Sequence, residues 1–171
     1  SLSLKEVLTI TIDICDAIKC AHKHGVIHRD IRPDNIRLTS DNTVKISAFG
    51  LSHIMKTPWS INTDHTVETP FYKSPEQIRE IDEKIDERSD IYSLGITLYE
   101  LLMGHLPFHE GDIADQQLNE LPKSLCEENP EIPKWLDKMV RKCLEKDPSD
   151  RYQEMGRLQK ELESYSKFYI N

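Results

Sequence analysis

The stretch that most restricts this chain is Val26-Ile27-His28-Arg29-Asp30-Ile31-Arg32-Pro33-Asp34-Asn35, with Ser47-Ala48-Phe49-Gly50 beginning twelve residues after Asn35. Between them, 35–38 and 43–46 read as short strands, joined by Thr39-Ser40-Asp41-Asn42, whose Asp and Asn supply turn chemistry. A polar loop followed at once by a tight strand pair brings Asn35 and Ser47 to the same end of a ribbon. An Asp and an Asn in such a loop can serve its own backbone as acceptor and donor. They are also residue types that move protons and hold metals.

Helical periodicity accounts for most of the remaining chain. Residues 3–24 read as a helix: Ser3 caps it, Glu6 completes a Ser-x-x-Glu box, and Leu4, Val7, Leu8, Ile14, Ala17, Ile18 and Ala21 fall largely on one face. Gly25 ends it. His22 and His24, in the last turn, read as solvated helix-end side chains. A strongly apolar helix over 89–103, with Ile91, Leu94, Leu98, Leu101 and Leu102, is apolar enough to run through the core up to Gly104. Residues 112–119 read as a short polar helix. Glu131-Ile132-Pro133 opens another, reaching about 145, with Trp135, Leu136, Met139, Val140 and Leu144 inward. A final helix is expected over 153–166. By contrast, 48–76 is polar and irregular apart from Ile54, Met55 and Trp59, and loops of that length are usually functional or mobile.

Composition narrows the classes of function. A chain of 171 residues suffices for one ordinary core and reads as a single domain. Its net charge of −8 and lack of a basic run argue against nucleic acid or an anionic membrane as the main partner. No apolar run approaches the roughly 20 residues that span a bilayer, and no signal peptide opens the chain, so the cytoplasm is the expected location. Cys15, Cys20, Cys126 and Cys143 have no Cys-x-x-Cys spacing and read as buried reduced thiols.

His-Arg-Asp with an Asn five residues beyond the Asp, then a strand pair and x-Phe-Gly, resembles the catalytic loop and metal loop of eukaryotic-type (Hanks-type) protein kinases. Thr69-Pro70-Phe71-Tyr72-Lys73-Ser74-Pro75-Glu76 is similar to the family segment ending Ala-Pro-Glu, with Ser74 for Ala. Asp86-Glu87-Arg88-Ser89-Asp90-Ile91-Tyr92-Ser93-Leu94-Gly95 is similar to its Asp-x-x-Ser-x-Gly, and Asp147-Pro148-Ser149-Asp150-Arg151-Tyr152 to a kinase turn. The Thr-Pro before Phe71 and the cation two residues after Asp30 resemble the serine/threonine branch, and Leu-x-Lys-Asp-Pro-Ser-Asp-Arg-Tyr resembles bacterial members. The implied fold is mainly α: a kinase-like C-terminal lobe over 1–171 with short β-hairpins, the N-terminal β lobe being absent. Within it lie a catalytic loop (28–35), a degenerate metal loop (47–50), an activation segment (48–76) and a core helix (89–103). Ala17-Ile18-Lys19 mimics the Ala-x-Lys of the kinase phosphate-binding strand, but falls inside the first helix.

By resemblance, Asp30 corresponds to the base that accepts the substrate hydroxyl proton. Arg32 takes the place of a Lys that contacts the transferred phosphate, and Asn35 matches a magnesium ligand. His28 and Arg29 lie in the same loop. Arg29 is the type of cation that meets a phosphate on the activation segment, for which Thr57, Ser60, Thr63 and Thr66 are candidates and Thr66, just before Thr69, is favoured. Asp90 is expected to accept hydrogen bonds from the loop backbone near His28 and Arg29, and Glu76 to pair with Arg151.

Apart from Ser74, the departures from the family pattern fall on the nucleotide side. Ala48 stands where the family has its metal-binding Asp, and one lost preorganised electrostatic group commonly costs on the order of 10² to 10³ in rate. There is no Gly-x-Gly phosphate loop. Arg32 presents a planar fork where a compact ammonium is usual. Arg37 falls where the family places an apolar residue beneath adenine. The implied function is a catalytically impaired, pseudokinase-like lobe, with no cofactor expected where the family uses ATP and magnesium. Such a lobe would work through protein contacts, either with a partner or by self-association over the exposed cleft floor. The alternatives are a fragment or an inactivated form of an active ATP-dependent kinase, or a nucleotide sensor without transfer.

Overall fold

The computed structural model describes residues 2–41, 43–49 and 70–170. Helix α1 spans Leu4–Lys23. Its start is fixed by a reciprocal pair: the Glu6 N–H donates to Ser3 Oγ (3.3 Å) and the Ser3 N–H donates to Glu6 Oε2 (2.7 Å). Its end is fixed by Gly25, whose φ of 71° suits a residue without a Cβ. The apolar stripe Val7, Leu8, Ile14, Cys15 and Ile18 is fully buried, largely against the last helix, α7 (Met155–Ile170), which contributes Met155, Leu158 and Leu162.

The loop after α1 runs through a single 3₁₀ turn at Pro33–Asn35 into an antiparallel ribbon, β1 (Ile36–Leu38) and β2 (Val44–Ile46). The cross-strand pairs are Ile36 with Ile46, Arg37 with Lys45, and Leu38 with Val44. Ile36, Val44 and Ile46 pack on the core, and β2 lies against α1. Alternation therefore sends Arg37 and Lys45 to the opposite, exposed face, as two like charges directly across the ribbon.

Past the undescribed 50–69 stretch come α2 (Pro75–Ile78), capped by Ser74 and Gln77, a 3₁₀ turn at Asp82–Lys84, and then α3 (Glu87–Met103). Every residue of α3 from Ser89 to Tyr99 is buried, as befits a helix with other elements on all sides. The close approach of α6 (Lys134–Cys143) depends on Gly95: a Cβ there would stand 2.7 Å from that of Cys143. The short helices α4 (Ile113–Asn119) and α5 (Leu125–Glu128) fill the space between.

Several local expectations change in three dimensions. The helix read from Glu131 begins at Lys134, because Pro133 is its extended N-cap, and Trp135 is only half buried, stacked on Tyr165 of α7 at 5.0 Å. The final helix runs from Met155 to Ile170 instead of 153–166, and its last turns meet Trp135 of α6 through Tyr165 and Tyr169. Cys15 and Cys143 are buried, but Cys20 is exposed and Cys126 intermediate, because their positions turn away from the core. The largest correction is His22. It is 8% exposed instead of solvated, because the last turn of α1 crosses the start of α3.

Candidate active site

Asp90, in the first turn of α3 and fully buried, organises the loop above it. Its Oδ2 accepts the His28 N–H (2.8 Å) and lies 2.7 Å from Nε2 of His22; its Oδ1 accepts the Arg29 N–H (2.8 Å). These donors satisfy both oxygens of a side chain that has no contact with water. Arg29 is bent to a φ of 69°, and its carbonyl accepts from Gln77 Nε2 of α2 (2.8 Å). The loop is thus held from below by α3 and from the side by α2.

His28, also fully buried, joins the loop to the ribbon. Its Nδ1 accepts the Asp30 N–H (3.2 Å), so its Nε2 carries the proton donated to the Ser47 carbonyl (2.8 Å). The ring of Phe49 meets it edge-on, centroids 4.5 Å apart. Asn35 turns its amide inward, donating from Nδ2 to the Asp30 carbonyl and to Asp30 Oδ2, each at 2.8 Å. The Ser47 N–H donates to the Asn35 carbonyl (2.9 Å), which sets Ala48 one residue from the catalytic-type Asn. Asp30, Asn35 and the 47–49 segment are therefore one constellation.

Arg32 pairs with Asp34 (Nε 3.0 Å, Nη2 2.8 Å) and lies 5.1 Å over the ring of Tyr72, whose hydroxyl donates to Glu100 (2.7 Å). Burial, then the Glu100 bond, pushes that phenol up. Nη1 of Arg29 lies 4.0 Å from Asp82. The phosphate-bearing candidates Thr57, Ser60, Thr63 and Thr66 fall outside the described residues, as do Thr69 and most of the 48–76 segment.

Beneath the far end of that segment, Arg151 reaches Glu76 in a buried fork, Nη1 to Oε1 at 2.8 Å and Nη2 to Oε2 at 2.9 Å. Its remaining donors go to the carbonyls of Glu145, Arg88 and Lys146, so all five N–H groups are used. Burial raises the Glu76 carboxyl, but the Arg151 bonds and charge, with the Ser89 hydroxyl at 2.6 Å, outweigh it and hold the group below its ordinary value. Two supports escaped the sequence reading. Gln117 of α4 donates to the Pro70 and Phe71 carbonyls and meets the Tyr92 hydroxyl through its own oxygen. Lys146 donates to Tyr92 and to the Gln116 and Gln117 carbonyls, and burial pushes its ammonium down to about 8. Nothing in a short polar stretch marks Gln117 as buried. Only its neighbours do.

The magnesium and nucleotide of the family can be tested against these donors. The ribbon end offers Asn35 Oδ1 as a neutral ligand and, at Ala48, a methyl group in a left-handed backbone (φ 66°). A divalent ion that bridges phosphates needs several hard oxygens. One amide oxygen next to a methyl group does not fit it.

A polar loop pinned by its backbone to a buried carboxylate, with an Arg–Glu fork anchoring a long connecting segment, defines the helical lobe of a protein-kinase-type domain. The sequence profile of the protein kinase domain matches residues 1–162. The chain is 34% identical to a probable serine/threonine-protein kinase of Clostridium acetobutylicum, over 99% of this chain and 26% of that protein. It is 36% identical to one of Clostridium perfringens, over 98% and 24% respectively, and 37% identical to the serine/threonine-protein kinase PknB of Mycolicibacterium smegmatis, over 92% and 26%. The chain belongs to the protein kinase family, among relatives that are bacterial serine/threonine kinases. It spans about a quarter of the length of those curated relatives. Among the described residues, no helix is long and apolar enough to cross a membrane.

Proposed function

We propose that this chain is a pseudokinase-like lobe: it keeps the framework that presents a protein-binding surface and lacks the chemistry of magnesium-bound nucleotide. The observation that carries the reading is Ala48, a methyl group where the family's second metal ligand belongs, which leaves Asn35 Oδ1 without that carboxylate beside it. Function then runs through protein contacts. Leu38, Val26 and Phe49, exposed at 48%, 42% and 37%, give the loop and ribbon apolar area for a partner or a second copy. The test is thermal unfolding of the chain with and without ATP and magnesium, beside a phosphotransfer assay. The expected result is no rise in midpoint and no transfer, with Ala48→Asp gaining a metal-dependent rise. An ATP-dependent rise in the unmodified chain sinks the proposal. Light scattering separates self-association, which grows with concentration, from docking to another protein.

A second reading has its own support. Asp30 and Asn35 are held together as a catalytic loop requires, and the relatives are some four times longer, which supports a reading as part of an active ATP-dependent kinase. Phosphate transfer from ATP by this chain, abolished by Asp30→Asn, selects that reading.

A further inference from the structure

On the face of the lobe behind the catalytic loop, a cleft of about 510 Å³ opens between the end of α1, the start of α3 and the start of α7. Lys19, Lys23, Arg157 and Lys160 line it, four cations in a chain whose net charge is −8. Glu87 and Glu154 oppose them in the lining, and Asp16 holds Lys19 from beside it. Lys19 is held in place by Asp16 Oδ1 and Gln159 Oε1, each at 2.6 Å. Met155 and Gly156, in the opening turn of the 16-residue α7, border the same space, and that turn carries no acidic side chain. Its backbone N–H groups and the positive end of the helix dipole add to the field of the cations.

The second observation is His22. Its side chain is 3% exposed, Nε2 is engaged with Asp90, and Nδ1 has no hydrogen-bond partner among the described residues. Glu87, which shares the cleft wall, comes no nearer to Nδ1 than 3.5 Å. A buried ring nitrogen that makes no hydrogen bond, with a carboxylate at ion-pair distance only, is open to a better-placed ligand group. Neutral, with its proton on Nε2, it accepts a P–O–H hydrogen; protonated, it donates to an oxyanion. A phosphate monoester, whose second ionisation lies near pH 6, offers both partners. An adjoining groove of about 420 Å³ shares Arg157 and Lys160 and adds Lys142, giving room for the rest of an ester.

We propose that this cleft is a binding site for a phosphate monoester, and that it reports to the catalytic loop through His22 and Asp90. The path is short: from Nδ1 through the ring to Asp90, and from Asp90 to the His28 and Arg29 amides. The inference does not depend on whether the chain transfers phosphate.

The test is titration of the 171-residue chain with inorganic phosphate and with a phosphoserine peptide of otherwise neutral sequence, at constant ionic strength against chloride, followed by amide and imidazole NMR shifts. Saturable shifts at Gly156 and His22 are expected, extending to the His28 and Arg29 amides. Lys160→Glu and Arg157→Glu, both at exposed positions, weaken binding at least tenfold, and Glu87→Gln strengthens it a few-fold by removing the competing carboxylate. A peptide that binds tenfold tighter than phosphate assigns the group to a phosphoprotein; equal affinities assign it to a small phosphate ester. Shifts matched by chloride, or undiminished in Lys160→Glu, overturn the proposal.

Discussion

The junction around Arg151 and the ribbon carrying Ala48 treat their local chemistry in opposite ways. At the junction every guanidinium donor is matched, the fork to Glu76 is buried, and Asp90 nearby collects donors from two elements. On the ribbon, Arg37 faces Lys45 across the strands and Ala48 sits at a φ that an L side chain resists. The first region is built for stability. The second holds a non-glycine residue in a left-handed bend and sets two like charges across the strands, so it carries local strain that the first avoids.

This comparison breaks most readily at the junction. Arg151→Ala should cost roughly 3 to 5 kcal/mol by chemical denaturation, since it strands the buried Glu76 carboxylate. The same pair sets an acid limit. Because folding holds the Glu76 carboxyl below its ordinary value of 4.5, its contribution is complete above that value and lost as pH falls through the lower folded value. The gap between wild type and Arg151→Ala should therefore shrink on acidification below about pH 4.5, and a gap constant with pH would remove the ion pair as its cause.

Asp90→Asn comes next, at about 3 kcal/mol, because an amide nitrogen cannot accept from the donors that the second carboxylate oxygen served. Its larger signature should be faster hydrogen exchange at the His28 and Arg29 amides. The ribbon should respond with the opposite sign. Ala48→Gly should stabilise by about 1 kcal/mol, read as a higher denaturation midpoint, through relief of the left-handed strain. Lys45→Glu should add about 0.5 kcal/mol by placing an opposite charge across from Arg37, with the gain fading in high salt. Loss of stability in both ribbon variants would mean that this surface is as well fitted as the junction, and the contrast would fall.

How much was legible in the chain follows from the range of each interaction. The capping box of Ser3 and Glu6, the stop at Gly25, the short ribbon and the buried helix through Leu94 were readable because each depends on residues a few positions apart. The end of α7 was not, since its contacts are with Trp135, far back in the chain on α6. Nor was Gln117 readable as the residue that holds the Phe71 carbonyl. His22 was read as solvated because a histidine in a last turn usually is.

By itself the sequence determined the class of fold, the order of its elements and the absence of an oxygen at position 48, since composition and local spacing are properties of the covalent chain. Tertiary structure alone decided that His22 lies against Asp90, 68 residues away, with its other nitrogen 3.5 Å from Glu87, and that Arg151 uses all five donors. Those facts depend on which helices cross and where. No local propensity encodes the environment that a crossing creates.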